Sequence, residues 1–351
     1  MTEFIHGGNV WGDNKPENWI DFSANLNPKG PPKIMMDEIK KNIHKIVYYP
    51  EINLKVPTEN IANYLKVPNY NILPTNGGIG ALSLIADNIR PDKVIILQPG
   101  FVEYSRIAQN INAEIINIPI IENYYNVVYD LKKIIKKLDD KTLLYICNPV
   151  NPIGSTMPMK ILHDIIFEAD KKGAKVVVDE AFIEFTEGNS VKKYVEKFES
   201  LIIAGSLTKI FAIPGIRIGY ICTNSKLIKK LKNHQTPWNL SSFAYDITNS
   251  LDKIQGYVRD TIEENKVQKK YLEEEISKLG IYVFKSKANF LLLNMREKNI
   301  RVKELQEYLL QYKILIRDCS NYLYLDDYYV RIAIKSYNDN KNFIEKLKKF
   351  V

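Results

Sequence analysis

Leu201-Ile202-Ile203-Ala204-Gly205-Ser206-Leu207-Thr208-Lys209 carries an apolar run into a lysine set among hydroxyls. Eight residues after that lysine stands Arg217, in Pro214-Gly215-Ile216-Arg217-Ile218-Gly219-Tyr220. Leu201–Ala204 has the length and composition of a buried strand, and polar groups at the end of such a strand face a ligand crevice in α/β folds. A lysine amine can form a Schiff base with an aldehyde. Hydroxyls and a guanidinium fork can hold a phosphate. Taken alone, Lys209 would read as one more surface lysine. The cluster asks instead for an aldehyde cofactor with a phosphate tail, and pyridoxal 5'-phosphate (PLP) is the candidate.

Outward from that stretch the chain alternates short apolar runs with helical spacing. Asn76-Gly77-Gly78 opens a helix to about Asn88. Strands are expected at 93–97, 114–118, 143–147, 175–178, 201–204 and 217–222, with a helix at 158–172. Continuous apolar runs separated by helices indicate strands buried on both faces of a mostly parallel sheet. Residues 1–32, rich in Gly, Asn and Pro, read as an irregular N-terminal arm, followed by helices at 33–46 and 58–65. Near residue 250 the pattern changes. A long charged helix (251–279) leads to strands at 281–284 and 289–293, a helix at 301–312, strands at 314–317 and 329–334, and a basic terminal helix. The expectation is an α/β fold: a three-layer large domain over 33–250 and a smaller α+β domain over 251–351.

Composition is that of a globular protein, with 45% hydrophobic and 26% charged residues and a net charge of +8. The lysines fall on expected helix faces, and no basic tract interleaves with aromatics as a stacking groove for nucleic acid requires. A basic balance does suit anionic ligands. Cys147, Cys222 and Cys319 are far apart and odd in number, which argues against a disulfide framework. The four histidines lack metal-ligand spacing. The start, Met1-Thr2-Glu3-Phe4-Ile5-His6, has no basic segment leading into an apolar one, and no apolar run approaches the ~18 residues of a membrane span. The default expectation is a reduced, cytoplasmic enzyme.

Each central strand ends in polar or turn residues. Asn148-Pro149-Val150-Asn151-Pro152-Ile153-Gly154 follows one, Asp179-Glu180-Ala181-Phe182 ends the next, and Ser206, Thr208 and Lys209 follow the third. A PLP site needs such parts. A carboxylate pairs with the ring nitrogen, an amide bonds the phenolic oxygen, a helix N-terminus holds phosphate, and an aromatic ring covers one face. Phe101, after Pro99-Gly100, is placed to be that ring.

With these motifs in order, the chain resembles the fold-type I PLP enzymes of the aspartate aminotransferase superfamily, and more closely the histidinol-phosphate aminotransferase branch, from about residue 6 to the C-terminus. The resemblance implies that Lys209 is the Schiff-base lysine and general acid/base, Asp179 the partner of the ring nitrogen, and Asn151 the partner of the phenolic oxygen. It implies that Gly77, Gly78, Ser206, Thr208 and Arg217 hold the phosphate and that Phe101 stacks on the ring. Tyr49, in Tyr-Pro-Glu, resembles a tyrosine that reaches the phosphate from a neighbouring subunit, implying a homodimer with shared sites. Arg331 matches the arginine for the substrate α-carboxylate, and Arg317 the arginine for the substrate phosphate.

Two features separate activities within the branch. His6-Gly7-Gly8-Asn9 and Asp21–Pro32 resemble the start of threonine-phosphate decarboxylases of cobalamin biosynthesis, which makes His6 and Asn25 candidates to help hold a substrate phosphate. Phe182 stands where aminotransferases of the branch usually carry tyrosine. The expectation is a decarboxylase acting on a small phosphorylated amino acid, L-threonine O-3-phosphate or L-serine O-phosphate. The alternative is a histidinol-phosphate aminotransferase paired with 2-oxoglutarate. Intact Lys209 speaks against a third reading, a non-catalytic binding protein or regulator on the same fold.

Overall fold

The apolar runs that end in polar residues lie side by side in one sheet. In the computed structural model of the chain, which describes residues 6–11, 15–186 and 188–351, that sheet has seven strands. They are β1 (Ile72–Thr75), β2 (Lys93–Gln98), β3 (Glu114–Pro119), β4 (Thr142–Cys147), β5 (Lys175–Asp179), β6 (Leu201–Ser206) and β7 (Gly219–Thr223). Their order is β1-β7-β6-β5-β4-β2-β3. Strands β2 to β6 pair in parallel, and β7 runs antiparallel to both its neighbours. The period of two sends alternate side chains to opposite faces. Ile95, Leu144, Val176 and Ile203 pack on one side with Ile61 and Leu162 of the Lys55–Leu65 and Met159–Lys172 helices. Ile96, Tyr145, Val177 and Ile202 pack on the other with Leu82, Tyr104 and Leu231 of the Gly77–Ile89, Glu103–Asn110 and Ser225–His234 helices. Helices on both faces make the three layers that the continuous apolar runs predict.

A second sheet is antiparallel throughout. It holds β8 (Tyr282–Val283), β9 (Phe290–Asn294), β10 (Arg317–Asp318) and β11 (Tyr329–Ala333), in the order β8-β9-β11-β10. Leu291, Leu293, Val330 and Ile332 face Leu272 and Ile276 of the Gln255–Lys278 helix and Phe343 of the Tyr337–Phe350 helix.

Several boundaries differ from the sequence reading, each for a local reason. β1 is not among the strands expected from the sequence; it contains Pro74 and is an edge strand of the sheet, where a residue without N–H is tolerated. The strand expected at 217–222 starts at Gly219, since Arg217 is left-handed at φ +63°. The long charged helix starts at Gln255 rather than 251. The run at 314–317 divides: Ile314–Leu315 pairs with Ile20–Asp21 of the arm, and β10 then joins the second sheet. The arm is therefore not irregular throughout. Phe22 is fully buried among the second sheet's apolar residues, worth roughly 1.5–3 kcal/mol relative to exposure. Its N–H donates to the Leu315 carbonyl at 2.8 Å, and the Ala333 N–H donates to its carbonyl at 2.8 Å. A two-residue strand has no period for a sequence reading to detect. The first five residues, on which the expected lack of a leader rests, lie outside the described residues. Among the described residues no helix is long and apolar enough to cross a membrane.

Candidate active site

The carboxyl ends of β4, β5 and β6 open on one cavity of about 270 Å³. Its floor comes from those strand ends: Cys147 and Asn151 after β4, Asp179 and Phe182 after β5, and Ser206, Thr208 and Lys209 after β6. Gly78 and Arg217 close one side and Phe101 another. The second sheet contributes Arg317 and Arg331, and the arm contributes His6, Ser23 and Asn25. Topology thus brings together residues from across the chain.

The phosphate-like corner rests on two constraints. Gly77 has φ +69°, and a Cβ there would lie 2.4 Å from Nη2 of Arg217. Only glycine lets the guanidinium come so close to the start of the Gly77–Ile89 helix, whose first N–H groups favour an anion. Gly77 itself does not line the cavity; it is the reason Arg217 can. Opposite, the hydroxyls of Ser206 and Thr208 bond each other at 2.8 Å. The Asn-Pro-x-Asn-Pro-x-Gly motif is locked in place by its last residue. Gly154 has φ +88°, and a Cβ there would meet Oγ of Ser286 at 2.2 Å.

Lys209 is held as a poised base. Burial and the charges of Arg331 and Arg217 bring its amine down to about 8, opposed by Asp179. Asp179 is shifted the other way: burial pushes its carboxyl up, against hydrogen bonds from the Tyr104 hydroxyl (2.7 Å, to Oδ2) and the Ala181 N–H (3.0 Å, to Oδ1). Cys147 is a neutral thiol, pushed up to about 12 by burial, and so is no nucleophile.

Arg317 and Arg331 are Cα partners across β10 and β11, so both side chains leave the same face of the sheet, and both are buried. Arg331 donates through Nη1 to Oδ1 of Asn151 and through Nη2 to the Ser23 carbonyl at 2.6 Å. Its buried Nε has no partner among the described residues. Arg317 donates to the Asp318 carbonyl and, at 2.8 Å, to Oδ1 of Asn321, with its guanidinium 5.2 Å from the ring of Tyr322. Lys209, Arg217, Arg317 and Arg331 line the cavity, and Asp179 is the one carboxylate among its described lining residues. So basic a lining suits an anionic ligand.

Two expected residues are placed differently from the rest. His6 lines the cavity beside Phe101, yet its Nε2 meets Oε1 of buried Glu103 at 2.8 Å, leaving Nδ1 for a ligand. Tyr49 does not line the cavity of its own chain; it is exposed, its ring tilted against that of Trp238 with centroids 4.7 Å apart. Asn25 is buried in the wall, and its Oδ1 lacks a partner among the described residues. The sequence reading missed Tyr104 and Tyr322. Tyr104 stands three residues after Phe101, one helical turn that points it back at the strand ends. Tyr322 lies in a loop, and only the tertiary fold puts it on the cavity.

The orphaned Arg331 Nε, the Gly77–Arg217 cradle and the poised Lys209 fit a phosphate-bearing aldehyde with an anionic substrate. Residues 17–347 match the family model of class I and II aminotransferases, and the chain belongs to that family of PLP-dependent enzymes. It is 33% identical to the "Putative threonine-phosphate decarboxylase" of Caldanaerobacter subterraneus subsp. tengcongensis, over 99% of this chain and 94% of that one. The crystal structure of the histidinol-phosphate aminotransferase from Clostridium acetobutylicum superposes with a TM-score of 0.86 at 34% identity, covering 94% of this chain and 98% of that one. The L-threonine-O-3-phosphate decarboxylase from Porphyromonas gingivalis superposes with a TM-score of 0.81 at 26% identity, with the same coverage.

Proposed function

We propose that the protein decarboxylates L-threonine O-3-phosphate, or its serine analogue, to a phosphorylated amino alcohol, in the service of cobalamin biosynthesis. The observation that carries this reading is the seating of the arm in the site. His6, Gly7, Ser23, Ala24 and Asn25 share one cavity with Lys209, Arg317 and Arg331. Phe182 supports it: its ring packs edge-on against Phe290 at 5.0 Å and offers no hydroxyl where an aminotransferase would use one.

PLP, when bound, supplies an electron sink for the bond broken at the substrate's α-carbon. Gly78, Ser206, Thr208 and Arg217 would hold its phosphate, with Gly77 admitting the arginine. Asp179 would face its ring nitrogen, Asn151 its phenolic oxygen and Phe101 its ring face, and Lys209 would carry it covalently. Arg331 would take the substrate carboxylate, and Arg317, with His6 and Asn25, the substrate phosphate. The two arginines would orient the substrate's α-carbon, a matter of roughly an ångström of placement. For decarboxylation Lys209 would give a proton to the α-carbon in place of the departed CO₂; for amino transfer it would remove the α-proton instead. Tyr49 would act across the interface of a homodimer.

One observation favours histidinol-phosphate aminotransferase as the second reading: the 34% identity to the Clostridium enzyme. Incubation with threonine phosphate decides between them. CO₂ and aminopropanol phosphate are the expected products. No CO₂, with amino transfer from glutamate to imidazole-acetol phosphate, would establish the alternative.

A further inference from the structure

Asp179 is held from behind by a residue that never reaches the cavity. The Tyr104 hydroxyl donates to Oδ2 of Asp179 at 2.7 Å, and both groups are buried. The Tyr104 ring is clamped in turn. It stacks on Tyr145 at 4.7 Å with the planes 4° apart, and stands edge-on to Phe101 at 5.7 Å and 87°. One side chain therefore braces both the carboxylate expected at the ring nitrogen and the aromatic expected over the ring.

We propose that Tyr104 is a positioning residue whose hydroxyl keeps Asp179 in its charged form, so that a proton shared between Asp179 and the PLP ring nitrogen resides on the nitrogen. This rests on the PLP reading of the site. The physical argument is one of proton affinity. A carboxylate that accepts a hydrogen bond is a weaker base than one that does not, and groups behind a ligating residue tune it in this way. The surroundings leave few substitutes for the hydroxyl. Among the described residues the other donor to Asp179 is the Ala181 N–H, on the opposite oxygen. Cys147, the Cα partner of Asp179 across β4 and β5, is a neutral thiol. Burial works against Asp179 being charged, so a lost donor goes uncompensated.

The test uses holoenzyme loaded with PLP labelled with ¹⁵N in the ring, in wild type, Tyr104→Phe and Asp179→Asn. Tyr104→Phe keeps the ring and its stacking and removes only the hydroxyl. The ring-nitrogen shift of Tyr104→Phe is expected to move from the pyridinium range of wild type toward the neutral-pyridine range, with kcat falling about tenfold or more, as loss of a hydrogen bond to a charged group implies. Asp179→Asn should move it at least as far. If Asp179→Asn moves the nitrogen and Tyr104→Phe leaves it at the wild-type shift, the role of Tyr104 is overturned and the PLP site stands. If Asp179→Asn also leaves it unmoved, the assignment of Asp179 to the ring nitrogen falls, and the role of Tyr104 with it. A Tyr104→Phe enzyme that loses activity with an unmoved nitrogen would likewise refute the proposal, since a merely structural defect has that signature.

Discussion

At the scale of the residue, the proposed chemistry depends first on Lys209. Its amine is brought to about 8 by burial and by Arg331 and Arg217. The neutral amine is the nucleophile, and below that value most of it is protonated. The rate at which apoprotein takes up PLP should therefore rise with pH, roughly tenfold per unit, and level off above about 8. Stopped-flow absorbance across pH 6 to 9, buffer pH being the only variable, checks this (~3 units suffice to see the bend). A flat profile would mean that the amine is not the limiting group. In Lys209→Ala the absorbance of the lysine-linked cofactor should vanish; a persisting band would remove Lys209 from its role.

At the scale of the element, the site is a set of strand ends facing a helix start. Gly77 shows how tightly these are fitted. Gly77→Ala puts a methyl 2.4 Å from Arg217 and forces a left-handed φ of +69° on a residue with a Cβ, a conformation costing roughly 1–2 kcal/mol. Apparent PLP affinity should fall about tenfold or more as Arg217 is displaced, read by fluorescence titration, while the far-ultraviolet circular dichroism stays that of wild type. Unchanged affinity would show that the close approach of Arg217 to the helix start is not needed. The central strands β2, β4, β5 and β6 were legible in the sequence because they are buried on both faces and read as unbroken apolar runs. Edge strand β1 was hidden by Pro74, and the pairing of Ile20–Asp21 with Ile314–Leu315 by its brevity and its span of the chain. Lys209, Asp179, Asn151, Ser206, Thr208 and Arg217 were legible because each sits beside a strand end. Tyr104 and Tyr322 carry no local signal of their place at the site.

At the scale of the molecule, one stretch of the described surface is crowded with exposed apolar side chains. Ile43, Ile46, Val47, Tyr48, Tyr49 and Ile52 are all exposed within ten residues, Val47 to 75% and Tyr49 to 80%. Apolar side chains crowded in that way mark an interface, and the expected homodimer would cover them and carry Tyr49 toward a neighbouring site. Sedimentation should give twice 40.6 kDa at micromolar concentration. Val47→Asp, which sets a charge on the patch without touching a core, should shift the species toward monomer and weaken PLP retention. Wild-type protein that sediments as a monomer would end the shared-site idea.

What the sequence determined by itself was the chemistry of the strand ends. Buried parallel strands must be apolar along their length, so the polar residues at their carboxyl ends stand out, and their order names a cofactor. What only the tertiary structure decided was the company those residues keep. The sheet register sets Arg317 beside Arg331, the arm brings His6 and Asn25 into a cavity floored by residues 120 and more positions away, and the turn after Phe101 sets Tyr104 behind Asp179. Such contacts join segments distant along the chain. They are won by packing and by the satisfaction of buried charge, neither of which leaves a pattern in any one stretch of sequence.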